Sequence, residues 1–463
     1  MSALSRRTLL KSALGAGTCL AESGLASLVT GNSAKAQVQL LEPVTTQFEL
    51  IPGKPTQNIY SYLPEGPAPV LYARQGEMFH TRLVNGLAEP TTVHWHGLRL
   101  PNDMDGVPFL TQPYVYPGET FDYRFTPPDA GTFWYHPHCN TLEQMSFGLN
   151  GAFVVQEAED PGFDTDVVLN LRDWRLGSDG QFISLYKARK AARAGTYGTV
   201  KTANWATSPV YELPAGSLVR LRILVSDVTR IYRLAVTGAE ATVIAKDGYP
   251  LSEIAPLKEA SIGPGQRMDL VIRMPDEEGA TIDVRNLSTT RPWTVASLKS
   301  SGLSLQRDVR EIRPLPANPV AQPDLNSAET IRFEFTATAE QAPKSGYCGT
   351  LGFSFWAINR RPWSGVSPDP MAPLAELKLG RSYIFSLLNR TPHSHPVHLH
   401  GLAFRPIRSN KRVLPAHVTD TVLILPDEQI DVALVADNPG DWLLHCHVIE
   451  HQKTGMAGFI RVI

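Results

Sequence analysis

Apolar and polar residues alternate in short runs through most of the chain, and turn residues close each run. Ile59-Tyr60-Ser61-Tyr62-Leu63 and Met78-Phe79-His80-Thr81-Arg82-Leu83 read as strands, with turns at Pro52-Gly53, Asn85-Gly86 and Pro117-Gly118. No extended period of 3.6 is present, and only Leu185 to Arg193 suggests a short helix. The pattern predicts an all-β chain. It also repeats. Gly216 to Leu224 echoes Gly76 to Val84, and Pro264 to Ile272 echoes Pro117 to Phe125. Further on, Gly380, Asn389, His398, His400 and Gly401 each lie 304 positions beyond Gly76, Asn85, His94, His96 and Gly97 (398 − 94 for the first histidine of each set). Asn438 to His445 likewise matches Asp129 to His136. Repetition on this scale indicates duplicated domains whose equivalent edges face each other. The expected units are 37–158, 159–312 and 313–463, with the Pro-rich stretch Arg313 to Pro323 as the linker into the last.

Composition narrows the picture. The 463 residues suffice for three domains at roughly 150 residues each. A hydrophobic content of 43% supports ordinary cores, while 37 Pro and 35 Gly suit many strands joined by turns. Lys+Arg at 43 against Asp+Glu at 45 leaves no basic excess for nucleic acid and no acidic tail. Residues 1–36 read as a leader. Ser5-Arg6-Arg7-Thr8-Leu9-Leu10-Lys11 is a twin-arginine signal, an apolar run follows, and Ala34-Lys35-Ala36 offers a cleavage site. Glu22 and the Gly and Ser content make the run too weak for a membrane span. The implied partner is the twin-arginine export machinery, with a periplasmic or secreted product and no stable membrane anchor. Four Cys are too few for a disulfide scaffold. Cys19 leaves with the leader; Cys139 and Cys348 form either one bridge or two buried thiols.

The chemistry is concentrated in histidine. Of 13 His, ten fall in four motifs. These are His94-Trp95-His96-Gly97, His136-Pro137-His138, His395-Pro396-Val397-His398-Leu399-His400, and His445-Cys446-His447-Val448-Ile449-Glu450-His451 with Met456 just beyond. Cys, two His and a distant Met form the ligand set of a blue-copper electron-transfer centre. Strand parity extends the reading. Successive side chains of a strand face opposite ways. If Cys446 points into its own barrel, His445 and His447 leave by the other face and can hold different ions. His398 and His400 share a face, whereas His395 has the parity to reach the copper of Cys446. The paired sets of the first and last units then meet at their contact. Imidazole and thiolate suit copper, and a lone Cys among many His argues against structural zinc. Ten His scattered by chance would not give four motifs of consistent parity. The middle third has no His and reads as a copper-free copy that spaces the outer two. His80, His393 and His417 read as ordinary polar or turn residues, with His393 a candidate for contact with the donor. Trp95 and Trp442 read as core.

This order and spacing resembles the multicopper oxidases, specifically the three-domain laccase-like enzymes of bacteria, over the whole mature chain. The resemblance implies three consecutive cupredoxin-like Greek-key β-barrel domains. It implies four copper ions: one type 1, one type 2 and two type 3. His395, Cys446 and His451 match the type 1 ligands, with Met456 axial. His94 and His398 match type 2; His96, His136, His138, His400, His445 and His447 match type 3. The implied activity couples four one-electron oxidations of phenols or aromatic amines to reduction of O2 to water. Its partners are O2 and a small reducing substrate, and the chain is expected to be a monomer. Electrons would enter near His451 or His395, and a Met axial ligand suggests a modest potential. Asp105 matches the family's carboxylate near the type 2 copper, a proton relay; an Asx turn before Gly106 is the other reading. Many bacterial members carry Glu where this chain has Gln452, so the second proton path is in doubt unless Glu450 substitutes. Oxidation of Mn(II) or Cu(I) is the alternative activity; only 8 Met and no Met-rich cluster count against Cu(I). A non-catalytic scaffold on the same fold would have lost ligands, and this chain has lost none. A copper nitrite reductase would lack the type 3 set.

Overall fold

A computed structural model describes residues 38–337, 351–365 and 372–463. The leader, with Cys19, lies outside the described residues, as does Cys348. Cys139 is disulfide-bonded and Cys446 is a free, buried thiol.

The alternation seen in sequence becomes pairs of sheets closed over apolar cores. In the first third, Leu71–Arg74, Gly151–Gln156, Gly131–His136 and His94–His96 form a four-stranded sheet in that order. Gln39–Leu41, Phe79–Val84 and Thr120–Phe125 form a three-stranded one. Phe79, Thr81 and Leu83 are buried while Arg82 is exposed, the period-two signature of a half-buried strand. Phe79, Leu83, Trp95, Tyr123, Tyr135 and Phe153 make up this core, and each such side chain stabilises by about 1.5–3 kcal/mol. The middle third closes a six-stranded sheet over a five-stranded one. The last third closes two five-stranded sheets over a core that includes Trp442, Cys446 and Met456.

The duplication is visible in the pairing. Each third has one parallel pair in each of its two main sheets, among otherwise antiparallel strands. These are Gln39–Leu41 with Phe79–Val84 and Leu71–Arg74 with Gly151–Gln156 in the first. Thr165–Trp174 pairs with Leu218–Val225, and Val210–Pro214 with Trp293–Ser301, in the middle. Glu329–Ala337 pairs with Ser382–Asn389, and Ala375–Leu377 with Ala457–Val462, in the last. The architecture is all-β, built from cupredoxin-like units.

Three local findings differ from expectation. The helix suggested for Leu185 to Arg193 is confined to Ala188–Ala191. Two further helices, Thr141–Phe147 and Ile449–Lys453, carry no helical period in sequence because each is too short to show one. The stretch expected as a linker is a strap rather than a loose tether. Asn318 exchanges hydrogen bonds with Ala130, at 2.8 and 2.9 Å, and donates to the Gly248 carbonyl.

Candidate metal centre

Register fixes where the ligands point. His395–Leu399 runs antiparallel to Gly440–Cys446, with Val397 opposite Cys446 and His398 opposite His445. Directly opposed residues share a face. Cys446 and Val397 therefore enter the core, and His398 and His445 leave it together. In the first third His94 lies opposite His136, while Trp95 and Tyr135 face the core. His136 and Cys446 are the last residues of their strands, so His138 and His447 sit in the bends beyond.

The thiol of Cys446 lies 3.5 Å from Nδ1 of both His395 and His451. The other ring nitrogens are occupied. His395 Nε2 is 2.7 Å from the Thr391 hydroxyl, and His451 Nε2 donates to the Arg193 carbonyl at 2.6 Å. Such second contacts fix a ligating imidazole's tautomer and aim; here they turn both Nδ1 atoms to the sulfur. His451 could not arrive by strand parity. The chain caps at Val448 and turns into the helix Ile449–Lys453, which brings the ring back beside Cys446. Met456 is fully buried in the same core, and its carbonyl accepts from the Cys446 N–H at 3.0 Å. Trp356 packs on both rings, with centroids 5.4 Å from His395 and 4.6 Å from His451. Burial pushes the Cys446 thiol up and holds His451 down to about 3. His395 is also held well below its usual range, by burial first and then by His451. Neither a bare thiolate nor an imidazolium is at ease here. A soft cation bound by sulfur and two neutral imidazoles is.

The remaining eight motif histidines gather between the first and last thirds, all buried. Ligand atoms of His138, His400 and His445 lie within 4.8 Å of one another. The rings of His96, His136 and His447 form a second group, with centroids 4.9, 5.4 and 5.9 Å apart. His94 and His398 face each other at 5.7 Å between the two groups. Contacts at the rear again leave one nitrogen of many rings facing inward. Nδ1 of His94, His398, His136 and His445 lies 2.8–3.0 Å from the carbonyls of Asp105, Asp420, Pro137 and Cys446. Nε2 of His94, His136, His138 and His398, Nδ1 of His96 and both nitrogens of His447 are buried without a hydrogen-bond partner. Each unpaired buried polar group costs about 1–3 kcal/mol, and so many of them converging suits bound metal. Burial first, then mutual repulsion, holds His96, His136, His138, His400, His445 and His447 well below the usual imidazole range. The rings are therefore neutral, as ligation requires. The donor set fits copper at both places.

Two carboxylates brace this cluster in mirrored fashion. Asp105, 1% exposed, sits 2.9 Å from His400 Nδ1 and 3.2 Å from His94 Nδ1. Gly106 follows with φ +84°, and a Cβ there would stand 2.0 Å from the Val93 carbonyl oxygen, so only glycine lets the loop pass. Asp420, which the sequence did not reveal, stands 3.2 Å from both His398 Nδ1 and His96 Nε2. Burial would raise the Asp420 carboxyl, but the Arg267 charge and the hydrogen bonds from His398 and Arg267 hold it below the usual carboxylate range. Arg267 grips both oxygens of Asp420 at 2.9 and 2.6 Å. A Cβ on Gly265 would stand 2.9–3.0 Å from the rings of His447 and His96. The middle third, expected only to space the others, thus supplies Arg267, Gly265 and the Arg193 carbonyl.

Glu450 spends both oxygens on Thr196, accepting from its N–H at 2.8 Å and its hydroxyl at 3.1 Å, and burial raises its carboxyl to about 7. Gln452 is buried. His80 meets Asp122 at 2.9 Å and His417 the Pro415 carbonyl at 2.8 Å, ordinary polar roles. His395 and His451 are both 0% exposed, so a donor cannot touch either ring. His393 is the half-exposed histidine nearby, 6.0 Å from Trp356.

A buried thiol–imidazole site next to an eight-histidine cluster defines a copper redox protein. Residues 44–160 and 330–463 each match the multicopper oxidase family, and the chain belongs to it as a copper-dependent oxidoreductase using O2. The crystal structure of a multi-copper oxidase from Pseudomonas thermotolerans is 42% identical with a TM-score of 0.84, covering 93% of this chain and 100% of that one. Multicopper oxidase MmcO of Mycobacterium tuberculosis is 29% identical over 96% of this chain and 91% of its own. Laccase-1 of Fomitopsis schrenkii is 28% identical over 94% and 89%.

Proposed function

We propose that the chain is a laccase-type oxidase, taking one electron at a time from phenols or aromatic amines and passing four to O2. His395, Cys446, His451 and Met456 would hold the type 1 copper. His94 and His398 would hold type 2; His96, His136 and His447 one type 3 ion, and His138, His400 and His445 the other. When bound, these coppers supply one-electron acceptance at the sulfur site and oxygen reduction at the histidine site. The residues do the rest. His445 and His447 each lie one peptide from Cys446, so the two sites share a bonded path. Asp105 and Asp420 orient four of the rings, and Asp105 is the group placed to pass protons. Trp356 and the Arg193 backbone keep water off the sulfur site.

The observation carrying this reading is the set of buried, unpartnered imidazole nitrogens in the histidine groups next to Cys446. The test is oxygen consumption by the copper-loaded protein with a methoxyphenol, Mn(II) or Cu(I) as donor. The methoxyphenol should be consumed fastest, at four molecules per O2. Oxidation of Mn(II) or Cu(I) alone would replace this reading with a metal-ion oxidase. The proposal includes export by the twin-arginine route, supported by Ser5 to Lys11 and Ala34-Lys35-Ala36. Recovery of the protein wholly in the cytoplasmic fraction would contradict it. Among the described residues, no helix is long and apolar enough to cross a membrane.

A further inference from the structure

The cover of the thiol site is basic. Between Leu185 and Thr196 the chain carries Lys187, Arg189, Lys190 and Arg193 and no acidic residue. All four cations are exposed, whereas Ala191 between them is fully buried. Among the described residues no salt bridge engages any of them. In a chain of net charge −2 this is a local excess, not a global one.

The same stretch touches the redox site through its backbone. The Arg193 carbonyl accepts from His451 at 2.6 Å, and the Ala191 carbonyl accepts from the Trp356 indole at 2.8 Å. The half-exposed His393 lies beside the same site, its ring 6.0 Å from Trp356. Anything seated on Arg193 is thus a backbone carbonyl and a hydrogen bond away from a ring that faces Cys446.

We propose that this surface is where the electron donor docks, and that its charge selects anionic reductants, namely phenols bearing a carboxylate or sulfonate. The proposal rests on the laccase-type reading and names its substrate class. Each docked phenol loses one electron to the sulfur site and its phenolic proton to water, and leaves as a phenoxyl radical with its acid group intact. Four such losses balance the four electrons and four protons that turn one O2 into two waters. Hydrated metal cations and ammonium-bearing phenols meet the same patch as a barrier. Fields of this kind change association rates by about 10- to 1000-fold and fade as salt shortens the screening length below about 10 Å.

The test compares three donors on one ring: 4-hydroxy-3,5-dimethoxybenzoate, its methyl ester, and 4-(aminomethyl)-2,6-dimethoxyphenol. Each is assayed with the copper-loaded wild type and with the double variant Arg189→Glu, Lys190→Glu. In the variant at low salt, kcat/KM for the benzoate should fall about tenfold relative to the ester, and that for the amine should rise. Both effects should shrink in about 0.5 M salt. Should the Glu pair fail to fold, Arg189→Gln with Lys190→Gln should show the same ordering at smaller size. Equal changes for all three donors would overturn the docking proposal and leave the laccase reading standing. No turnover of any of them would overturn both.

Discussion

At the scale of single residues, the account depends on which nitrogen of each ring is left free. For His136 and His445 that choice is made by carbonyls inside their own motifs; for the rings braced by Thr391, Arg193, Asp105 and Asp420 it is made from outside them. Asp420 is the most exacting of these, because it is the nearer of the two carboxylates beside Arg267, 1% exposed: 2.6 Å against 3.7 Å for Asp247. Removing one member of a buried ion pair leaves an uncompensated charge and costs about 3–5 kcal/mol. Asp420→Ala should therefore lower the denaturation midpoint markedly, more than Asp420→Asn, while the thiol site keeps its colour. Equal stability of wild type and Asp420→Ala would show that Asp247 compensates Arg267 by itself. The histidines and Cys446 that the structure brings together were legible in sequence from their motifs and, for those on strands, from parity. Asp420 was not. Asp105 lies 11 residues from the histidine it braces in its own third, and Asp420 lies 22 from its counterpart. The repeat offset that pairs the histidines does not pair the carboxylates, so their mirrored roles appear only in space.

Among elements, strands were readable and short helices were not. Alternation predicted that Cys446 and His445 part to opposite faces, and the register with His395–Leu399 carries this out. Parity could not have placed His451, since it lies in a five-residue helix beyond the strand, where the period of two no longer holds. The loop before Arg267 was also opaque. Gly265 reads as half of a Pro-Gly turn, yet a Cβ there would stand 2.9–3.0 Å from the rings of His447 and His96. With φ at +87°, a side chain is strained there as well. Gly265→Ala should displace those two rings, lowering copper content and oxygen turnover while the Cys446 colour persists. Full copper and full turnover in that variant would mean the rings have room to move.

For the whole molecule, the buried imidazoles set the response to acid. Nine of them, namely His96, His136, His138, His395, His398, His400, His445, His447 and His451, have pKa values below the usual imidazole value in the folded chain. Unfolded, they take up protons below a pH of about 6.5. Their contribution is thus present above that pH and lost as pH falls, at up to about 1.4 kcal/mol per pH unit for each group still neutral in the fold. The copper-free protein should unfold at clearly lower urea at pH 5.5 than at pH 7.5. A midpoint indifferent to pH over that range would mean the rings are not buried neutral. Repeats foretold three copies of one β unit, but not that the copy without histidine reaches into both sites, because a backbone carbonyl and a buried Arg leave no motif. The central claim is that one thiol is joined through its chain neighbours to a separate three-metal histidine site. Copper content and visible absorption of wild type and Cys446→Ser, measured side by side, test it most directly. The account predicts four coppers and strong absorption near the red end of the spectrum in the wild type, with three coppers and no such absorption in the variant. A colourless wild type, or a variant that keeps the colour, would contradict it.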